Sequence, residues 1–485
     1  MQNNILSIHF GHHGAFSYIR NNEVVFHSQF DRFSKLKNFG IFSKSVLDIF
    51  SNLDFDTLLL TDINNSMLPK EFNQIKLINP FFYKKICNSK IITCSDQHHL
   101  FHAYAIDLWS KEKNKKIFVM DGDGVKLKNS NATEQESFYT LNENNIYHHF
   151  TTSKNIGSLY ERRASQLFIS PVSEGKLMAL SSYGLFNKKY YNNDIIDVST
   201  KEEKEDYAKT TQRYCEDKVI SILKENIDNK DETIFFTGGV AQNVLLNTKI
   251  KKIYKNFQPD PICNDAGISL GSANFYLKGK LKKLNSVYLG VQQKLDLSLY
   301  NLTVKNCTEE EVAKILQEEP VAIFQSRSEQ GQRGLGNRSL LMSPLNKKCF
   351  VKLNEIKKRE WFRPFALSIL DEEGQNWFED YFTSKYMKFV FKLKTNKRNI
   401  IYSGYGRDFS SRIQSVTKSS NPHYYSLLKA FHNITNCPCI INTSLNLPGS
   451  VLVETIEDLM NLLKTSKLKY VYLPETKKLI YDNKQ

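Results

Sequence analysis

Hydrophobic and polar positions alternate through "NILSIHFG" (4–11), which predicts a strand ending in glycine. The runs "FSYIR" and "EVVFHSQF" flank Asn21-Asn22 and predict two strands joined by a tight hairpin turn. "SKSVLDIFSNL" (43–53) carries helical periodicity, and "DTLLLTD" (56–62) is a short apolar strand. This order recurs in outline. "KIFVMDGDG" (116–124) reads as a strand running into an acidic glycine turn, "ETIFFTGGVAQNVLLNTKI" (232–250) as strand, Gly-Gly turn and helix, and "NDAGISLGSANFYL" (264–277) as a glycine-rich turn feeding a helix. Small residues at such turns let backbone amides approach phosphates at a helix N-terminus, so three of them suggest a nucleotide cradle. Any one alone is more often only a turn.

The patterning lapses around residues 278–305, where lysines dominate, and resumes with a helix over "TEEEVAKILQEE" and a strand over "PVAIFQS". A boundary therefore falls there, and 485 residues are in any case too many for one typical core. Apolar content of 41% and charged content of 24% exclude an extended disordered chain. No stretch approaches the roughly 20 apolar residues of a membrane span, and "MQNNILSIHFG" lacks the pattern of a secretory signal, so a cytoplasmic location without membrane contact is expected. Eight scattered cysteines without a C-x-x-C pair argue for reduced thiols rather than a thiolate metal site. The net charge of +15 has two readings: solvated lysine from a biased composition, or a field that gathers anions or nucleic acid.

Two clusters carry chemistry. In "DQHHLFHAYAI" (96–106), His98 and His102 stand four residues apart, on one face if the segment is helical. The zinc-protease signature needs Glu after the first His, where this chain has His99, so hydrolysis of that kind is disfavoured. Taken alone the pair is as readily an ordinary core or surface feature. Asp121 and Asp265, each in an acidic glycine turn, would complete a mixed N/O set for iron, zinc or manganese. The second cluster is cationic. Arg327, Arg333, Arg338, Lys357, Lys358, Arg359 and Arg363 interleave with glycines and with Trp361, Phe362 and Phe365, which predicts a shaped pocket for phosphate or carboxylate.

The ordered blocks "GHHGAF", "HHLFHA", "MDGDG", "GSLYE", "EGKLMALSSYG", "FFTGGVAQN", "NDAGISLGSAN", "SEQGQRGLGNRS", "KKREWFRPFA" and "CIINTSLN" together resemble the NodU/CmcH family of O-carbamoyltransferases over nearly the whole chain. The resemblance implies an α/β protein: an actin-like (ASKHA) carbamoyl-transfer domain with two subdomains over 1–295, then an α/β YrdC-like domain over 306–485 that forms carbamoyl-adenylate. It implies ATP, with magnesium, and carbamoyl phosphate as substrates, and an acceptor hydroxyl that attacks the adenylate. A homodimer is a further implied partner state. By match to the family's motifs, His98, His102, Asp121 and Asp265 hold a divalent metal, iron first and zinc or manganese next, and His12 is the general base. Lys37, Gly239 and Asn243 match nucleotide contacts, while Arg333, Lys357, Arg363, Arg412 and Asn442 match groups around carbamoyl phosphate.

Four departures modify this expectation. The family's "HDAS" is "HHGA" here, placing His13 at the Asp position, and "EERFSR" is "FDRFSK", which replaces a carboxylate by Phe30. "GPRALG" is "GQRGLG", and "DGTAR" is "DFSSR", with Phe409 for glycine. The changes near His12 make a polyhydroxylated sugar a less secure acceptor. With the positive charge they favour, by a small margin, a hydroxymethylated pyrimidine in DNA, approached by "KEKNKK" (111–116), "NKKYY" (187–191) and "KGKLKKLNS" (278–286). A small-molecule natural product (sugar, antibiotic or nodulation factor) is the alternative, and a tRNA threonylcarbamoyl-type transferase the second.

Overall fold

The computed structural model describes residues 4–37, 39–40, 42–61, 75–127, 130–143, 145–192 and 197–481. The chain divides into two compact units, one of residues 1–177 and 184–290 and the other of residues 178–183 and 291–485. The division at residue 290 lies within the stretch 278–305 where the patterning lapses, and residues 178–183 of "EGKLMALSSYG" cluster with the second unit. Sequence pattern has no means of registering such a chain excursion, because it is local and compact units are not.

The first unit contains two five-stranded sheets. Strands β1 (Asn4–His9), β2 (Ala15–Arg20), β3 (Glu23–Gln29), β4 (Thr57–Thr61) and β5 (Lys90–Thr93) form the first, in the order β3-β2-β1-β4-β5. Strands β6 (Asn114–Met120), β7 (Glu136–Asn142), β8 (Asn145–Thr152), β9 (Ile234–Thr237) and β10 (Phe257–Pro259) form the second, in the order β8-β7-β6-β9-β10. In each sheet the first three strands are antiparallel neighbours and the last two run parallel to the first. The same connectivity used twice is the actin-like fold, with its two subdomains. The hairpin turn is where alternation predicts it, with Asn21 at φ 53° and Asn22 at φ 60°, as a two-residue turn requires.

Two helices bring the site together. Helix His98–Asp107 buries every residue but Leu100, since Ala103 and Ile106 pack on Ile117, Val119 and Phe235 of the second sheet while another face meets helix Ile268–Tyr276. That is why this segment shows no polar stripe: it has no solvent face. The helices approach closely, because a Cβ at Gly271 would collide with the Phe101 carbonyl. Asn274 then donates to the Tyr104 carbonyl at 3.0 Å. Toward the first sheet, Ser272 and Ser269 pair with Ser7 and Ser17 at 2.9 and 2.8 Å, so small hydroxyls fill the seam.

The second unit is a mixed α/β structure built on a nine-stranded sheet, counted among the described residues. Its strands are β11 (Thr303–Asn306), β12 (Val321–Phe324), β13 (Arg338–Met342), β14 (Ala366–Leu370), β15 (Val390–Lys392), β16 (Ser410–Val416), β17 (Cys439–Ser444), β18 (Tyr470–Leu473) and β19 (Lys478–Tyr481). Their order is β11-β19-β18-β12-β13-β17-β14-β16-β15. The helix expected after Thr308 spans Glu309–Leu316 and opens with a capping box between Thr308 and Glu311. The strand expected at "PVAIFQS" is β12, buried throughout. Among the described residues no helix is long and apolar enough to cross a membrane. All eight cysteines are free thiols.

Candidate active site

His98 and His102 share one face of their helix, Asp121 follows the end of β6, and Asp265 opens the turn before helix Ile268–Tyr276. Nε2 of His102 stands 3.3 Å from Asp121 Oδ2 and 3.5 Å from Asp265 Oδ1, and Nε2 of His98 stands 3.9 and 3.7 Å from the same atoms. One ligand atom from each of the four residues lies within 4.8 Å of every other. Most of these separations exceed a good hydrogen bond but match the edges of a polyhedron whose centre is about 2.0–2.2 Å from each ligand. The Nε2 atoms of both histidines and Oδ2 of Asp121 are buried without a hydrogen-bond partner. Two imidazoles and two carboxylates with unsatisfied lone pairs aimed at one point fit a divalent first-row cation. Without the ion, burial alone would lower the His102 imidazole, but the nearby carboxylates of Asp121 and Asp265 outweigh it and raise it to about 10. Asp121 mirrors this: burial would raise its carboxyl, yet His102 and His98 hold it well below the usual range.

The surrounding groups are also buried and polar. His99 Nδ1 bonds Ser137 Oγ at 2.7 Å, and the His99 backbone N–H donates to Glu134 Oε2 at 3.4 Å, placing an acid at a helix start that has no side-chain cap of its own. His9, at the end of β1, has its ring centroid 6.3 Å from that of His98. Burial presses its imidazole down to about 3 against the pull of Asp265.

His12 is solvent-exposed, with the ring of His13 at 4.1 Å. His13, at the family's Asp position, adopts a left-handed backbone at φ 54°. Two acids face His12 electrostatically. Burial raises the carboxyl of Glu161 while His12 pulls it down, and burial together with Glu161 raises Glu174. These residues lie in "GSLYE" and "EGKLMALSSYG", which the sequence reading quotes as motifs without giving either Glu a role. Phe30, where the family has a carboxylate, is fully buried 5.1 Å from Phe16 and 5.5 Å from Phe42 in an aromatic core. The lost charge is replaced by packing, at a position facing away from solvent.

Among the expected nucleotide contacts, Gly239 abuts the His/Asp cluster: a Cβ there would sit 2.8 Å from Asp121 Oδ1. Asn243 exchanges two bonds with Gln212, at 3.1 and 2.9 Å, and its Oδ1 also caps the following helix through Leu246 N–H at 3.1 Å. Its side chain is thus largely engaged within the protein. Gln212 in turn lines a cavity of about 450 Å³ with Phe186, Tyr191, Lys209, Arg213 and Glu216. Four of these residues form one face of helix Lys201–Asn226, a polar i, i+3, i+4, i+7 stripe legible in the sequence but indistinguishable there from a solvated face. Lys37 is exposed and is not among the groups that meet at the cluster.

In the second unit four guanidinium groups repel one another. Burial, then Arg333, Arg359 and Arg363, drive Arg412 well below the usual arginine range, and burial with Arg363 and Arg333 pushes Arg359 down to about 9. An arginine does not deprotonate under ordinary conditions, so these shifts measure crowding of like charge that a bound oxyanion would relieve. Glu360, 3.1 Å from Arg363, counters part of it. Nε of Arg412 is buried without a partner. Arg359, which lies over the Phe365 ring at 4.8 Å and donates to Thr443 Oγ1 at 2.8 Å, belongs to this group although no motif match named it.

Two expected members behave differently. Lys357 Nζ donates to the carbonyls of Ser444 and Asn446 and to Asn446 Oδ1, at 2.8, 2.7 and 2.7 Å, which engages its three protons in tying down the loop after β17. Asn442 Nδ2 donates to Ser368 and Gln414 inside the sheet, leaving Oδ1 unpaired. Arg338 is fully buried, bonded to the carbonyls of Gln325 and Ser326 and stacked on Phe324, as a structural residue. Phe409, at the family's glycine position, adopts a left-handed backbone, φ 61°, and Arg398 covers its ring at 4.5 Å. Such a conformation costs a non-glycine residue roughly 1–2 kcal/mol, and the stacking offsets part of that.

Residues 312–478 match the family described as Carbamoyltransferase C-terminus. Two uncharacterized proteins of Methanocaldococcus jannaschii are similar along most of their length: one is 29% identical over 94% of this chain and 96% of its own, the other 30% identical over 75% and 70%. The nodulation protein NolNO of Sinorhizobium fredii is 28% identical over 76% of this chain and 62% of its own. The chain belongs to the NodU/CmcH-type carbamoyltransferase family. This carbamoyltransferase is therefore a transferase enzyme, and the family match falls on the unit that holds the arginine cluster. Among solved structures, HypF from T. kodakarensis aligns with 58% of the chain and 49% of its own length at 14% identity and a TM-score of 0.34.

Proposed function

We propose that this carbamoyltransferase uses carbamoyl phosphate, ATP and one water to form carbamoyl-adenylate in its second unit: water displaces phosphate from carbamoyl phosphate, and the carbamate left attacks the α-phosphorus of ATP, releasing pyrophosphate. The carbamoyl group then passes in the first unit to an acceptor hydroxyl, with release of AMP. The observation that carries this reading is the presence in one chain of an arginine cluster suited to an oxyanion and a His/Asp cluster suited to a cation. Arg333, Arg359, Arg363 and Arg412 would hold carbamoyl phosphate. His98, His102, Asp121 and Asp265 would hold a divalent ion, iron first, which when bound would supply positive charge to a phosphate group. Gly239 and the cavity beside Gln212 would take the nucleotide. Carbamate is a poor electrophile and the adenylate supplies a leaving group, so the chain's own tasks are positioning, shielding from water and collecting a proton. His12 would take that proton from the attacking hydroxyl.

The acceptor we favour is a small molecule, neutral or cationic. Glu161 and Glu174 lie within the electrostatic reach of His12 and, wherever ionised, would repel a polyanion arriving there. The net charge of +15 favours DNA as a second reading. In two of the three lysine-rich stretches, however, lysines are already paired: Lys113 with Glu143, Lys116 with Glu232, Lys282 with Glu23, and both Lys115 and Lys283 with Asp107. The deciding experiment supplies ATP and carbamoyl phosphate and measures pyrophosphate, phosphate and AMP, then offers polyols, amino sugars and hydroxymethylated DNA and looks for carbamoyl mass gain. Absence of carbamoyl phosphate-dependent pyrophosphate release would overturn the adenylate reading. Mass gain on DNA alone, declining steeply with salt, would replace the small-molecule acceptor.

A further inference from the structure

His9 is 1% exposed and was not singled out by any motif. Its Nδ1 lies 3.1 Å from Thr61 Oγ1, and that hydroxyl is itself 3.3 Å from the Ile8 carbonyl, to which it donates. A hydroxyl has one proton to give. With that proton directed to Ile8, Thr61 Oγ1 must accept from His9, which fixes the imidazole proton on Nδ1 and leaves a lone pair on Nε2. No described group donates to Nε2, which is buried. The ring stands 6.3 Å from that of His98 and within the electrostatic reach of His98, His102 and Asp265. It is not one of the four residues whose ligand atoms lie within 4.8 Å of one another, so it is set back from the inner ligands.

We propose that His9 is a positioning residue for the ion held by His98, His102, Asp121 and Asp265: its Nε2 accepts a hydrogen bond from a water molecule in the ion's coordination shell. This rests on the metal reading above. Thr61 orients the ring from one side, as outer partners of metal sites commonly do. The role fits the place of His9 at the end of β1, where β4 fixes Thr61 directly opposite. His9 would thereby steady one solvent molecule beside the four ligands.

The test uses the full chain, stripped with a chelator and reloaded with Co(II), read by visible absorption and by competition with a chelating dye. His9→Leu is expected to still take up the ion, but about 10–100-fold more weakly and with shifted absorption bands. His9→Gln, whose amide oxygen can accept the same hydrogen bond, should recover most of the affinity, and Thr61→Val should fall between wild type and His9→Leu. Unchanged affinity and spectrum in His9→Leu, whatever its melting temperature, would overturn the proposal, as would failure of His9→Gln to improve on His9→Leu. His102→Ala run alongside separates the two readings: loss of the ion there with an unaltered His9→Leu removes only the His9 role. Wild-type protein that takes up no Co(II) removes the four-ligand site as well.

Discussion

The two clusters of this carbamoyltransferase are opposite solutions to one electrostatic problem. In the first unit, acids and imidazoles converge and partly satisfy one another, so that Asp121 is held low and His102 high. In the second, guanidinium groups converge with Glu360 as the acid that acts on Arg359, and the charge remains crowded. In the first, the positive and negative groups lie beside one another, so part of the charge is balanced within the cluster itself. In the second, Glu360 counters part of the charge, and arginine keeps its proton. If the two clusters serve different half-reactions, variants should separate them.

The largest effect expected is from His102→Ala. It should abolish stable metal binding and the transfer step, while carbamoyl phosphate-dependent pyrophosphate release persists. Equal loss of both would show that the clusters do not divide the reaction. His12→Ala comes next, with transfer slowed about 10²–10⁴-fold if it is the general base and adenylate formation retained. Transfer at the full rate from pH 6 to 9 would assign the proton to another group. Arg412→Ala should reverse the pattern: metal content unchanged, but use of carbamoyl phosphate at least about tenfold poorer, since a charge-assisted bond of about 1.5–3 kcal/mol is lost. Metal content falling in step with activity would contradict separate sites. The smallest effect is on stability. Inorganic phosphate at about 100 times its Kd should stabilise the wild type by about 2.7 kcal/mol, seen as a rise in Tm that Arg412→Ala does not show.

The parts of this picture that sequence reveals are those carried by local pattern. The His98/His102 spacing, the strand that ends at Asp121 and the turn at Asp265 each follow from a few neighbouring residues, and the structure brings all four together. The interleaved cations already include Arg333 and Arg363, and the family resemblance added Arg412, which meets both electrostatically in the second unit. Lys357 shows the limit. Its partners are 87 and 89 residues away, so nothing near it in sequence shows that its amine closes a loop, or that Arg359 two positions later is the residue crowded against the other arginines. Asn442 is similar, its amide engaged by Ser368 and Gln414 across two neighbouring contacts of the sheet. His9 carries no signal of its own in the strand pattern, because the hydroxyl that sets its tautomer lies on a strand 52 residues later.

The nine-stranded sheet of the second unit also bears on aggregation. An open sheet ends in two rows of unpaired backbone groups that can recruit a strand from another copy. Here the border strands are short, Thr303–Asn306 on one side and Val390–Lys392 on the other, and each carries an exposed lysine, Lys305 and Lys392. Two copies meeting border to border would bring like charges together over too few residues to form a stable ladder. Some of the positive surplus of this chain thus has a use unrelated to any substrate: it keeps a long, open sheet from growing longer.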